Sequence, residues 1–148
     1  MNYQIVLDEI LKEISSLNKK PKLLLHVCCA PCSSYVLEYL NEYFDITVYY
    51  YNPNISSYSE YEKRLNEEIR FVSEYPFNKD IPVIKAPYDN DRFEEMIKGL
   101  EEEKEGGARC FKCYRLRLEK SYQYAQANNF GFIPLLVISF KVLSKIIW

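Results

Sequence analysis

The fold class read from the sequence is α/β, a doubly wound parallel sheet with helices on both faces, and three observations lead to it. Short runs such as Leu23–Val27, Ile46–Tyr51 and Ile81–Ala86 are continuously apolar rather than alternating, as strands buried on both faces must be. Segments with apolar residues at helical spacing separate them. The connections are short, which suits strand–helix–strand units in one sheet.

Ile5, Val6, Ile10, Leu11, Ile14 and Leu17 recur at helical spacing with charges between them, and Asn18–Pro21 ends the pattern. An amphipathic leading helix is expected. Leu23–Val27 is the first strand; Cys28–Cys32 is a loop; Val36, Leu37, Leu40 and Phe44 mark a helix with Ser33 and Ser34 near its start. Ile46–Tyr51 is rich in β-branched and aromatic residues and stops at Asn52-Pro53-Asn54, a strand and its turn. A polar helix is expected from about Ser57 to Tyr75, followed by the third strand. A helix from Asp91 runs through Phe93, Met96, Ile97 and Leu100 toward Gly106 and Gly107, and a fifth spans about Tyr114 to Asn128. The order gives one Rossmann-like domain over residues 1–148, without internal repeat or linker.

Composition narrows the function classes. The 148 residues carry a net charge of −2, so any nucleic-acid contact must come from a local basic patch and not from the global field. Hydrophobic residues make up 48% and charged residues 27%, which argues against disorder. The first twenty residues lack the pattern of a secretory leader. Phe130–Trp148 is apolar but broken by Pro134, Lys141, Ser144 and Lys145, short of the ~18 uninterrupted residues of a membrane span. The expected compartment is the cytoplasm, with no membrane partner. Five cysteines in a reducing compartment point to metal ligation or thiol chemistry before disulfides.

Ligands of open parallel sheets bind beyond the carboxyl ends of the strands. Cys28, Cys29 and Cys32 occupy that end of the first strand, before a helix whose positive N-terminus favours thiolate. A second pair, Cys110 and Cys113, has C-x-x-C spacing in a loop freed by Gly106 and Gly107, with Arg109, Lys112 and Arg115 around it. If both segments reach one edge, five sulfurs are available, and four suffice for a 4Fe-4S cluster. A structural zinc site and a dithiol couple use the same residues. Neighbours Cys28 and Cys29 would point to opposite faces of an extended chain, so their convergence needs a turn, which favours a loop built for a ligand. His26, inside an apolar strand, reads as a core histidine.

The stretches Leu24–Ser33, Tyr50–Ile55, Ala86–Asp89 and Glu105–Arg117 resemble the QueH family in order and spacing, over nearly all of residues 22–128. The resemblance implies an epoxyqueuosine reductase that reduces the wobble base of a tRNA to queuosine, an oxidoreductase working without cobalamin and fed by an external electron donor. It implies a 4Fe-4S cluster on Cys28, Cys29, Cys110 and Cys113. To this the expectation is added that Cys32 and Asp89, as catalytic residues, hold or approach a second iron near the substrate. Tyr51, Asn52, Arg109, Arg115 and Arg117, with Tyr58, are candidates for the RNA, since loop bases are held by aromatic stacking and phosphates by cations. An ATP-dependent tRNA-modifying enzyme of related architecture would need a Gly-rich loop where Cys-Cys-Ala-Pro-Cys stands.

The chain departs from the family pattern in two places. Ser56 and Ser57 follow Asn-Ile where the family tends to have His-Pro, and after the fifth helix no Cys-x-Cys pair follows Cys113. Residues 130–148 are read as departing from the pattern and the C-terminal part as truncated. That leaves an active reductase, an inactive copy or fragment needing a partner, and a non-catalytic zinc or iron–sulfur module as the readings to separate.

Overall fold

The computed structural model describes residues 3–77 and 79–131. In chain order these form α1 (Tyr3–Ser15), β1 (Lys22–His26), α2 (Ala30–Leu40), β2 (Asp45–Tyr50), α3 (Tyr58–Glu74), β3 (Val83–Lys85), α4 (Asn90–Ile97) and α5 (Ala108–Ala127). The strands form a parallel sheet in the order β1-β2-β3, with Leu24 opposite Thr47, His26 opposite Tyr49 and Val48 opposite Val83. The expected α/β architecture is present. The reading of residues beyond 131 lies outside the described residues.

Period-2 alternation assigns the strand residues to two apolar layers. Leu23, Leu25, Val27, Ile46, Val48 and Tyr50 meet Leu11 and Ile14 of α1, Leu37 and Leu40 of α2, and Tyr61, Leu65 and Val72 of α3. Leu24, Tyr49 and Tyr51 form the other face with Phe93 and Ile97 of α4 and Cys113, Leu116 and Ala125 of α5. This double cover is why β1 and β2 are mostly apolar in sequence. Each central strand side chain removed from water contributes about 1.5–3 kcal/mol.

One buried face and two boundaries differ from expectation, each for a local reason. In α1 only Leu7, Leu11 and Ile14 face the core, a single i, i+4, i+7 stripe, while Ile5, Val6, Ile10 and Leu17 remain exposed. The fourth helix stops at Ile97, because Gly99 adopts φ +79° just beyond it. The fifth begins at Ala108, so Cys110 and Cys113 lie on its first turns and not in a loop. Gly106 takes φ +82° and closes the preceding turn. Gly107 is the N-cap, where a Cβ would come within 2.9 Å of the Lys104 carbonyl oxygen. Nothing from Ala108 onward breaks a helix, so it starts as soon as the glycines are passed.

Candidate metal centre

The ladder of β1 continues one residue past the strand, with the Val27 N–H donating to Tyr49 O at 3.1 Å, and the chain then leaves the sheet at Cys28. Buried Asn52 pins this exit by donating its Nδ2 to Val27 O at 2.9 Å. Cys29 is the N-cap of α2 in extended conformation, and Pro31 sits in the first turn, where its missing N–H costs nothing. This sharp strand-to-helix exit turns neighbouring side chains toward each other. The Sγ atoms of Cys28 and Cys29 lie 3.7 Å apart, and those of Cys29 and Cys32 3.1 Å apart. All three sulfurs are within 4.8 Å of one another, and this group could hold a metal ion. Three sulfurs without a carboxylate suit a thiophilic metal.

The helix N-terminus does not make Cys28 or Cys32 acidic. Burial, then the neighbouring Cys29 and Cys32, pushes the Cys28 thiol up to about 12. The Cys32 thiol is raised chiefly by its hydrogen bond with Cys29, and by burial. For Cys28 burial, and for Cys32 the hydrogen bond with Cys29, outweigh the helix dipole. A metal entering the site displaces protons, so binding strengthens as pH rises.

Cys110 and Cys113 sit apart from that group. With Arg109, Tyr114 and Arg117 of the same helix they line a cavity of about 450 Å³, closed across the way by Asn54, Ser56 and Phe93. Gly106 N–H points to Cys110 Sγ at 3.4 Å. Cys113 is buried in the apolar layer that includes Leu24 of β1 and Tyr51, and α5 packs on β1. Burial raises its thiol, opposed by the charge of Arg117. The two cysteine segments therefore belong to the same strand's surroundings, one at its carboxyl end and one on its covered face.

The remaining sequence candidates separate by burial. Asp89 is the N-cap of α4 without a capping side-chain bond, and it accepts the Tyr51 hydroxyl at 3.3 Å. Tyr51, Asn52 and Arg117 are 1%, 1% and 3% exposed, so all three are buried. The Arg117 guanidinium lies over the Tyr114 ring at 5.1 Å, and its Nε points to Cys113 O at 3.4 Å. Arg109 donates to Glu101 O at 3.1 Å, and Arg115 is an exposed partner of Glu119 at 2.8 Å. Tyr58 is exposed and donates to Glu62 at 2.8 Å. Ser57, one of the two departures, is the N-cap of α3 and accepts Glu60 N–H at 3.4 Å.

His26 is the core residue its context suggested. Its Nε2 donates to Tyr51 O at 2.7 Å while Nδ1 has no partner, which identifies a neutral ring. Burial first, then Arg117, lowers its pKa to about 3. One residue escaped the sequence reading: Glu68 of α3 is fully buried, with both carboxyl oxygens 2.8 Å from Ser33 Oγ, beside Cys32 in the chain. A signal existed, because Tyr61, Leu65, Glu68 and Val72 share the buried helical stripe and one of the four is an acid.

The description "Epoxyqueuosine reductase QueH" belongs to the family that matches residues 23–146. Proteins of that name from Staphylococcus epidermidis and Streptococcus pyogenes are 44% and 40% identical, each alignment covering 89% of this chain. One from Histophilus somni is 46% identical over 74% of the chain. These alignments cover 57%, 52% and 44% of the relatives' own lengths, so the chain spans about half of each.

Proposed function

The chain belongs to the epoxyqueuosine reductase QueH family, and from that premise we propose that it reduces epoxyqueuosine at the wobble position of tRNA to queuosine. The observation that carries the reading is the convergence of three sulfurs where β1 meets α2, with a second cysteine pair on the helix that packs against the same strand. In the proposed site Cys28, Cys29, Cys110 and Cys113 would hold a 4Fe-4S cluster, and Cys32 with Asp89 would hold a second iron; cobalamin would have no part.

Converting an epoxide to an alkene takes two electrons and two protons and releases water, and no side chain stores such electrons. Iron bound at these cysteines would supply the electrons singly and polarise the epoxide oxygen, with an external donor restoring them. The chain's own residues fix the geometry. Asn52 holds the exit of β1, and the Tyr51 hydroxyl orients the Asp89 carboxylate. His26 anchors Tyr51 through its carbonyl. Arg117 places a buried positive charge beside Cys113, which favours its thiolate as a ligand. Arg109 at the cavity and exposed Arg115 are the candidates for RNA phosphates, with Tyr58 available for base stacking. Tyr51, Asn52 and Arg117 serve by positioning.

The test is anaerobic turnover of tRNA carrying epoxyqueuosine, with a chemical reductant as donor. Queuosine should form with the iron-loaded chain and be lost in Asp89→Ala. A chain that holds metal but forms no queuosine would be a binding module in place of a reductase.

A further inference from the structure

Cys29 and Cys32 stand in a relation that metal binding alone does not require. Their sulfurs are 3.1 Å apart, the shortest separation recorded among the three thiols at the end of β1. They flank the first turn of α2 in the order Cys29-Ala30-Pro31-Cys32, with Cys32 N–H donating to Cys29 O at 3.1 Å. Pro31 fixes its own φ there, so the turn that brings the sulfurs together is stiff before any ligand arrives. Cys32 is exposed and Cys29 half-buried, which gives a small molecule access to one sulfur and a sheltered position to the other.

We propose that, when the site carries no metal, Cys29 and Cys32 close reversibly to an intramolecular disulfide, so that the metal-holding and disulfide forms are alternative states of the same two sulfurs. Pairings through Cys28–Cys29 or through Cys113 are poorer. Cys28 and Cys29 are sequence neighbours, about 3.8 Å apart at Cα across a trans peptide, short of the roughly 4.4–6.8 Å that a disulfide spans. Cys113 is 8% exposed, which makes it a poorer target for an incoming oxidant than exposed Cys32.

The reaction is thiol–disulfide exchange with a low-molecular-weight disulfide. The Cys32 thiolate attacks one sulfur of that disulfide, forming a mixed disulfide and releasing one small thiolate. Cys29, as thiolate, then attacks the Cys32 sulfur, forming the Cys29–Cys32 bond and releasing the second. Two electrons pass to the small disulfide, and the two protons lost by the cysteines end on the released thiols. A bound metal blocks the sequence, because both sulfurs are then committed as ligands. The proposal needs only the thiol geometry and holds whether or not the chain is a reductase.

The experiment incubates the metal-free full chain with glutathione disulfide, quenches with acid, alkylates, and reads intact mass and fragment spectra. Two of the five thiols should be lost, with a bond mapped to Cys29 and Cys32 and full reversal by dithiothreitol. Cys29→Ser and Cys32→Ser should each abolish closure, whereas Cys113→Ser should not. Preloading with cadmium ion should slow closure on the order of tenfold or more. A bond mapped elsewhere in the wild-type chain, glutathione adducts without an internal bond, or a rate indifferent to cadmium would each overturn the proposal. Mapping on the wild-type chain decides the pairing even if a serine variant folds poorly.

Discussion

Acidification should destabilise this protein through His26. The ring is 0% exposed, donates to Tyr51 O at 2.7 Å, and is held neutral, with a pKa lowered to about 3 by burial and by Arg117. In the unfolded chain it returns to about 6.5. Between those values the unfolded state binds the proton that the folded state refuses, so stability is intact above pH 6.5 and falls as pH drops toward 3. Each pH unit in that window costs about 1.4 kcal/mol, or roughly 3.4 kcal/mol between pH 6.5 and 4. Against a total of about 5–15 kcal/mol that is a large fraction. The assay is urea unfolding at pH 7, 6, 5 and 4 for the wild type and His26→Leu. The lost bond to Tyr51 offsets the variant equally at every pH, and the common carboxylates cancel. The wild type should lose about 3.4 kcal/mol relative to the variant across the series. A flat difference would show that His26 is protonated in the fold, and the reasoning about its neutral, buried ring would fail.

Two further predictions concern the ground beneath the cysteines. Glu68 is buried with a single hydroxyl donor and its pKa is raised by burial, so the stability it contributes as a neutral acid is present below the ordinary carboxylate range and lost as pH rises through the raised value. Glu68→Gln should therefore be more stable than the wild type at pH 8, with the gap narrowing toward pH 4 in urea unfolding; a wild-type advantage at pH 8 would refute it. Asn52→Ala leaves Val27 O without its donor at the exit of β1 and should cost about 1–3 kcal/mol. Thermal and urea unfolding would measure this, and an unchanged stability would mean that the carbonyl finds another donor.

Much of the fold was legible because its signals are local. The apolar runs of β1 and β2 follow from burial on both faces, and Ser57 followed by a polar helix announced α3. The cysteine exit of β1 was legible for the same reason: a strand, an abrupt turn and a helix each leave a mark in sequence. The start of α5 was misplaced because paired glycines signal equally a mobile loop and a tight cap, and only packing against the Lys104 backbone distinguishes them. The raised pKa values of Cys28 and Cys32 escaped because they depend on burial and on how closely the sulfurs approach, neither of which spacing along the chain gives. Burial of Tyr51, Asn52 and Arg117 is likewise a property of the folded layers. Side chains at strand ends can face a ligand or bond a neighbouring loop, and here Tyr51 bonds Asp89 and Asn52 bonds Val27 O.

The central claim is that two cysteine segments, at the carboxyl end of β1 and at the start of α5, serve one iron–sulfur centre. The most direct measurement is iron and acid-labile sulfide per chain after anaerobic purification, for the wild type, Cys28→Ser and Cys110→Ser, with circular dichroism to verify the fold. The account predicts about four irons and four sulfides in the wild type, lost in both variants. Full iron and sulfide in Cys110→Ser, or one zinc without sulfide in the wild type, would contradict it.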